Sequence, residues 1–260
     1  MLSKLLKYDF KSLSKLLIPV YLVTLLLAVV VRVANMLAEK FSIFSVPSGF
    51  LSGIFIVVLI AIPIATFIFT IVKFYQNLIK DEGYLMHTLP VSKNSLVLSK
   101  TISSIAFMCL SFLFTILFLF VGVYGIWFDS KFLSLCFDFL GQIDTLFLIL
   151  ILLSILISVV FNQVMIYVSI ALGQKHNNKI LYSIIYGVVI YNVIQILSVI
   201  ILLPFMLFDS NYQSYIDGTN LGSFELINGY LILALIVSLI FTIICYVLTV
   251  KVLDRKLNLE

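Results

Sequence analysis

Two histidines, His87 and His176, and three cysteines, Cys109, Cys136 and Cys245, are the side chains best suited to catalysis or metal binding. Cleaving a bond inside a membrane needs a carboxylate pair with a histidine, or a serine with a histidine, at membrane depth. Neither histidine falls in an apolar stretch, and no acidic pair does. The cysteines are an odd, scattered set without a C-x-x-C, so they fit neither a disulfide framework nor a zinc site. Cys109 and Cys245 sit inside apolar runs and are expected to pack as small hydrophobes. The phosphate-cradling pattern G-x-x-x-x-G-K-[ST] is missing, and Gly83 and Gly173 stand alone. No cofactor is expected in the chain, and any ATP hydrolysis belongs to another polypeptide.

The elements around these residues are set by composition. Of the 260 residues, 63% are hydrophobic and 11% charged, with a mean hydropathy of +1.23. Soluble domains are about 45–50% apolar and about 25% charged. A water-soluble globule, a disordered chain and a nucleic-acid binder are excluded. The expectation is an all-α polytopic membrane protein, one domain over residues 1–260. Crossing a bilayer takes about 20 mostly apolar residues. Six stretches qualify, at about 16–38, 50–72, 101–126, 143–172, 180–208 and 229–250. The first resembles a signal peptide in outline but lacks a small-residue cleavage site, and is read as an uncleaved span.

Charge orients the spans. With the N-terminus in the cytoplasm, 13 of the 16 Lys and Arg lie inside, and only Arg32, Lys40 and Lys131 lie outside. Seven of the 12 acids lie outside. That asymmetry puts both termini in the cytoplasm of a multi-pass plasma-membrane protein. No charge lies near the middle of a span, which argues against a proton relay. No inverted repeat of the kind many secondary transporters carry is visible either.

Before the first span, Lys4, Lys7, Lys11 and Lys15 share one strip at about 100° per residue, opposite Leu2, Leu5, Leu6, Phe10, Leu13 and Leu17. The expectation is an amphipathic interfacial helix over 1–15, lying in the membrane plane with lysines toward anionic headgroups. Asp9 falls at the edge of the apolar face, as a snorkelling or lysine-paired side chain or as a partner contact.

The connection between the second and third spans is the most informative stretch. Gly83 permits a break, Tyr84 to Leu89 is short and amphipathic, and Pro90 holds Leu89 extended. Ser92 is a good N-cap for the next helix. A short cytoplasmic helix between two breaks can receive a push from a soluble partner.

The stretch Glu82-Gly83-Tyr84-Leu85-Met86-His87-Thr88-Leu89-Pro90-Val91-Ser92, followed by Leu96 and Lys100, resembles the corresponding loop of type-2 ABC exporter permeases. The likeness is greatest to small six-span permeases of low-GC Gram-positive bacteria, and extends to the N-terminal surface helix and the six-span layout. It implies a membrane subunit with no ATPase motif of its own, with ATP and magnesium bound in a partner ABC ATPase subunit. A second permease subunit, as homo- or heterodimer, is implied as well. In that family the loop carries the coupling helix that docks into a cleft of the ATPase. The role carries over to Glu82, Gly83, Tyr84, His87, Thr88 and Pro90. The alternative reading is a substrate-capturing membrane subunit of a vitamin or small-molecule importer, against which this loop argues.

Asn162 and Gln163 lie in the fourth span, and Asn192 and Gln195 in the fifth. Unpaired amides in hydrocarbon are costly, so they must meet protein or water. Two readings stand, a polar translocation path at a subunit interface or interhelical hydrogen bonding. His176, in the turn between the fourth and fifth spans, is expected to be solvated. Tyr182 and Tyr186 are expected at headgroup level. Gly49 and Gly53 form a G-x-x-x-G, read as a close-packing site or a simple turn.

Overall fold

A computed structural model describes residues 2–78, 91–123, 134, 138, 141, 143–176, 178–208 and 224–255. Six long helices dominate: α1 (Leu2–Lys40), α2 (Ser45–Leu78), α3 (Lys93–Val123), α4 (Thr145–Gly173), α5 (Lys179–Phe208) and α6 (Phe224–Arg255), with a 3-10 turn at Ser42–Phe44 between the first two. All six are long and apolar enough to cross a membrane. The chain divides into two compact units, residues 1–73 with 98–141, and residues 74–97 with 142–260.

In the first unit, α1 departs from the sequence expectation. No break separates an in-plane helix from the span, and the 39 residues form one helix. At 1.5 Å per residue it is about 58 Å long, against about 30 Å of hydrocarbon. The cause is one continuous stripe. Leu5, Asp9, Leu13, Leu17, Tyr21, Thr24, Ala28 and Val31 are buried at steps of three and four. Leu13 and Leu17, expected to meet lipid, instead join a core with Phe55, Leu59, Ile62, Phe107 and Phe118. The four lysines remain exposed. Pro19 is accommodated inside the helix.

Side-chain pairs fix the register. Asp9 meets Ser99 and Lys100, and Tyr21 meets Ser111, at sequence separations of 90 or 91 throughout. A constant offset means that α1 and α3 run parallel. Along α2 the pairing reverses: Asn35 meets Ser52 at 3.2 Å, while Ser111, bonded to Tyr21, meets Thr66. Thus α1 and α2 form an antiparallel hairpin with α3 returning alongside α1.

In the second unit α4 packs against both α5 and α6. Val164, Val168, Ile194 and Cys245 form a shared core, and Cys245 packs as a buried small hydrophobe, as expected. Asp144 caps α4, accepting from Leu146 N at 3.3 Å and from Asn228 Nδ2 at 3.0 Å. Ser92 caps α3 as its position predicted, its Oγ accepting from Ser95 N at 3.3 Å.

Among the described residues, glycine matters at two close approaches, neither of them the G-x-x-x-G. Gly49 and Gly53 face open space. A Cβ at Gly173 would collide with Ser183, with the backbone N at 2.7 Å and Cα at 2.8 Å. A Cβ at Gly122 would meet only the ring of Phe55. Each glycine-to-alanine change should lower stability by about 1–3 kcal/mol. Only Gly122→Ala should be partly rescued, by Phe55→Leu. Removing Oγ with Ser183→Ala should leave Gly173→Ala unrescued, because the backbone remains in the way. Thermal unfolding in detergent of the four single and two double variants checks this contrast.

Candidate functional site

The six residues assigned to the coupling loop, Glu82, Gly83, Tyr84, His87, Thr88 and Pro90, lie outside the described residues. The helices on either side are described. α2 continues to Leu78, six residues past the end of the expected span, and α3 begins at Lys93, eight before the next one. Both ends of the connection are therefore carried on regular helix.

Each of those ends is attached to a neighbour. On α2, Phe74 is fully buried and stacks on Tyr167 of α4, with ring centroids 3.7 Å apart and planes at 8°. The Tyr167 hydroxyl accepts from Gln163 Nε2 at 2.7 Å. On α3, Lys100 forms an ion pair with Asp9, and Ser99 Oγ donates to the same carboxylate at 2.9 Å. Asp9 and the Lys100 side chain are only 5% and 6% exposed. A charge pair this dry loses hydration that its mutual attraction only partly offsets, while removal of one partner would leave the other's charge buried. Ser103 and Ser104 satisfy their hydroxyls on the α3 backbone, at 3.1 and 2.9 Å.

Asn162, Gln163, Asn192 and Gln195 do not form one site. Gln163 is 1% exposed and belongs to the α4 core through Tyr167. Asn162, beside it, bonds its own helix at Ser158 O, 2.8 Å away. Asn192 and Gln195 are both exposed on α5, as their spacing of three predicts for one face. Asn192 Nδ2 donates to Val188 O at 2.8 Å. Gln195 lines a cavity of about 190 Å³ with Ser198, Val199, Leu202, Leu203 and Tyr230. Among the described side chains of α5 only Ile194 is buried, and the rest are half-buried or exposed.

Two sets of contacts were missed in the sequence. Tyr21, Ser111 and Thr66 join three helices through their hydroxyls, Tyr21 Oη lying 2.7 Å from Ser111 Oγ. Their periodicity marks each as core, but nothing local pairs them. His176, expected to be solvated, stacks on Tyr182 with centroids 3.9 Å apart and hydrogen-bonds Tyr186 Oη at 3.1 Å. The signal was available: two tyrosines one turn apart at the start of α5 present a ledge over which the preceding turn folds back. Tyr182 and Tyr186 thus hold the preceding turn through His176.

Among the described residues, no three of His, Cys, Asp and Glu gather as metal ligands would. No family model, no curated protein and no solved structure matches this chain.

Proposed function

We propose that the chain is the membrane-spanning permease subunit of an ATP-driven ABC transporter of the type-2 kind, an exporter of a drug, a lipid or an antimicrobial peptide. The subunit sits in a bacterial plasma membrane with both termini in the cytoplasm. It pairs with a second, identical or related, permease subunit and with separate ATPase subunits that hold ATP and magnesium. The reading is carried by one observation: the stretch Glu82 to Ser92, with its glycine and proline breaks, joins two lysine-flanked helices of a six-span apolar chain.

The flanking geometry supports it. A push on this connection from the cytoplasm reaches α4 through Phe74 and Tyr167, and reaches α1 through Lys100 and Asp9. The connection is thus linked to helices other than the two it joins. The exposed amides of α5, Asn192 and Gln195, then line the path on the face turned to the second permease subunit. Asn162 belongs to the same polar set, while Gln163 holds the α4 core.

The test is coupling. A pull-down with the wild-type chain should bring down an ABC ATPase directly. Glu82→Lys and Gly83→Pro should insert normally but separate ATP hydrolysis from transport, cutting transport at least about tenfold while hydrolysis persists. Unchanged transport in both variants would sink the proposal, as would solute movement by the purified chain alone in liposomes.

A further inference from the structure

The turn between α1 and α2, in the first unit, carries the most exposed large apolar side chains among the described residues. Ile43 is 84% exposed, Val46 80% and Phe50 74%. Phe41 and Phe44, also exposed, meet edge to face with ring centroids 6.5 Å apart. From Phe41 to Phe50 every residue but Ser48 is exposed, so the apolar surface runs around the turn and not along one face. Polar groups of the turn bond inward. Ser45 Oγ donates to Ser42 O at 2.7 Å, and Ser48 Oγ donates to Ser45 O at 3.0 Å. Phe41 N donates to Leu37 O at 2.9 Å, Phe44 N to Phe41 O at 3.0 Å, and Ser45 N to Ser42 O. We infer that this turn is a lipid-embedded tip, seated in the interface of the leaflet opposite the N-terminus, with Ile43, Val46 and Phe50 among the upper acyl chains.

Length, charge and shape select lipid as the occupant. No charged residue lies between Lys40 and Lys73. The helical part of that run, from Ser45 to Val72, is about 42 Å long at about 1.5 Å per residue. A bilayer offers about 30 Å of hydrocarbon and about 40–45 Å with its headgroup layers. The uncharged run therefore matches the whole bilayer, and its excess over the hydrocarbon falls at the turn. Exposed Glu39 and Lys40 bound the tip at the end of α1, where charges reach headgroups and water. In water this apolar surface would be unfavourable. Lipid requires that backbone groups be satisfied within the chain, as the inward bonds here do. A second copy of the chain would cover one side of the turn, whereas lipid surrounds it; Gly49 and Gly53 face open space beside Phe50. The inference needs only that α1 and α2 cross a membrane, so it stands apart from the transport reading.

Tryptophan quenching in the full chain, reconstituted in phosphatidylcholine vesicles, tests it. Trp127, the single tryptophan, is replaced by Phe, and one new tryptophan is placed by Ile43→Trp, Val46→Trp or Ile60→Trp. The first two sites are nearly free of contacts, and Ile60 is an exposed reference deeper along α2. The tryptophans at 43 and 46 should be quenched by lipid brominated high on the acyl chain and protected from acrylamide. The tryptophan at 60 should respond more to bromines near the chain's end. Quenching at 43 and 46 by acrylamide and not by brominated lipid overturns the proposal, because the turn would then stand in water. Protection from both quenchers also overturns it, because protein would then cover the turn.

Discussion

Asp9→Asn or Lys100→Met alone should destabilise the protein by about 3–5 kcal/mol, because each leaves its partner's charge buried and unmatched. The double variant Asp9→Leu with Lys100→Met should be neutral or more stable by about 1–4 kcal/mol, since neither ion then has to be dehydrated. Ser99 Oγ, 2.9 Å from the carboxylate, gives a graded control. Ser99→Ala should cost about 1.5–3 kcal/mol, the range for a hydrogen bond to a charged group. Thermal unfolding in detergent separates these outcomes. If the single variants melted like wild type, the pair would be solvated and its structural role wrong. The double variant also bears on function. A stable subunit that no longer couples ATP hydrolysis to transport would show that the pair sets the position of α1 against α3.

Tyr167→Ala should cost about 3–5 kcal/mol, as for other large buried rings. Its ring is 1% exposed and covers a fully buried Phe74. Phe74→Ala should cost about the same, and the two losses should not add, because each removes the same ring contact. Tyr167→Phe separates stacking from hydrogen bonding. It keeps the ring and removes only the acceptor for Gln163, a polar contact of a kind worth about 0.6 kcal/mol on average inside membranes. Additive losses in the alanine double variant, or a tyrosine-to-phenylalanine cost as large as the alanine cost, would remove the stack from the account. In the proposed transporter, Tyr167→Ala should also weaken coupling at unchanged surface expression, because α4 loses its attachment to the end of α2.

Hydropathy located the six helices but not their ends. The first span, expected over 16–38, is part of a helix over Leu2–Lys40. The second, expected over 50–72, runs through Ser45–Leu78. Hydropathy stops at lysines because lysines leave hydrocarbon; a helix does not, because lysine is a good helix former and snorkels from its surface. The in-plane helix was inferred from a true periodicity, but periodicity shows a face and not what covers it. Here the face at Leu5, Leu13 and Leu17 is covered by protein. Asp9 was legible as an anomaly on that face. Its partner was not, because nothing in one sequence marks residues 91 apart as neighbours. The paired amides of α5 were legible as a face from their spacing, whereas Gln163 and Asn162, adjacent in sequence, necessarily diverge in environment. The stretch from Glu82 to Pro90 rests on its residues alone.

The Asp9–Lys100 separation also sets an order of assembly on the ribosome. At about 5–20 residues per second, the acid is synthesised roughly 5–18 s before the base that neutralises it. Through that interval the first hairpin can enter the bilayer, but Lys100, which pairs with Asp9 in the folded chain, has not yet been made. Locking of the first three helices is therefore timed by the emergence of α3, and a nascent chain arrested before residue 100 should keep its Asp9 end accessible to aqueous reagents.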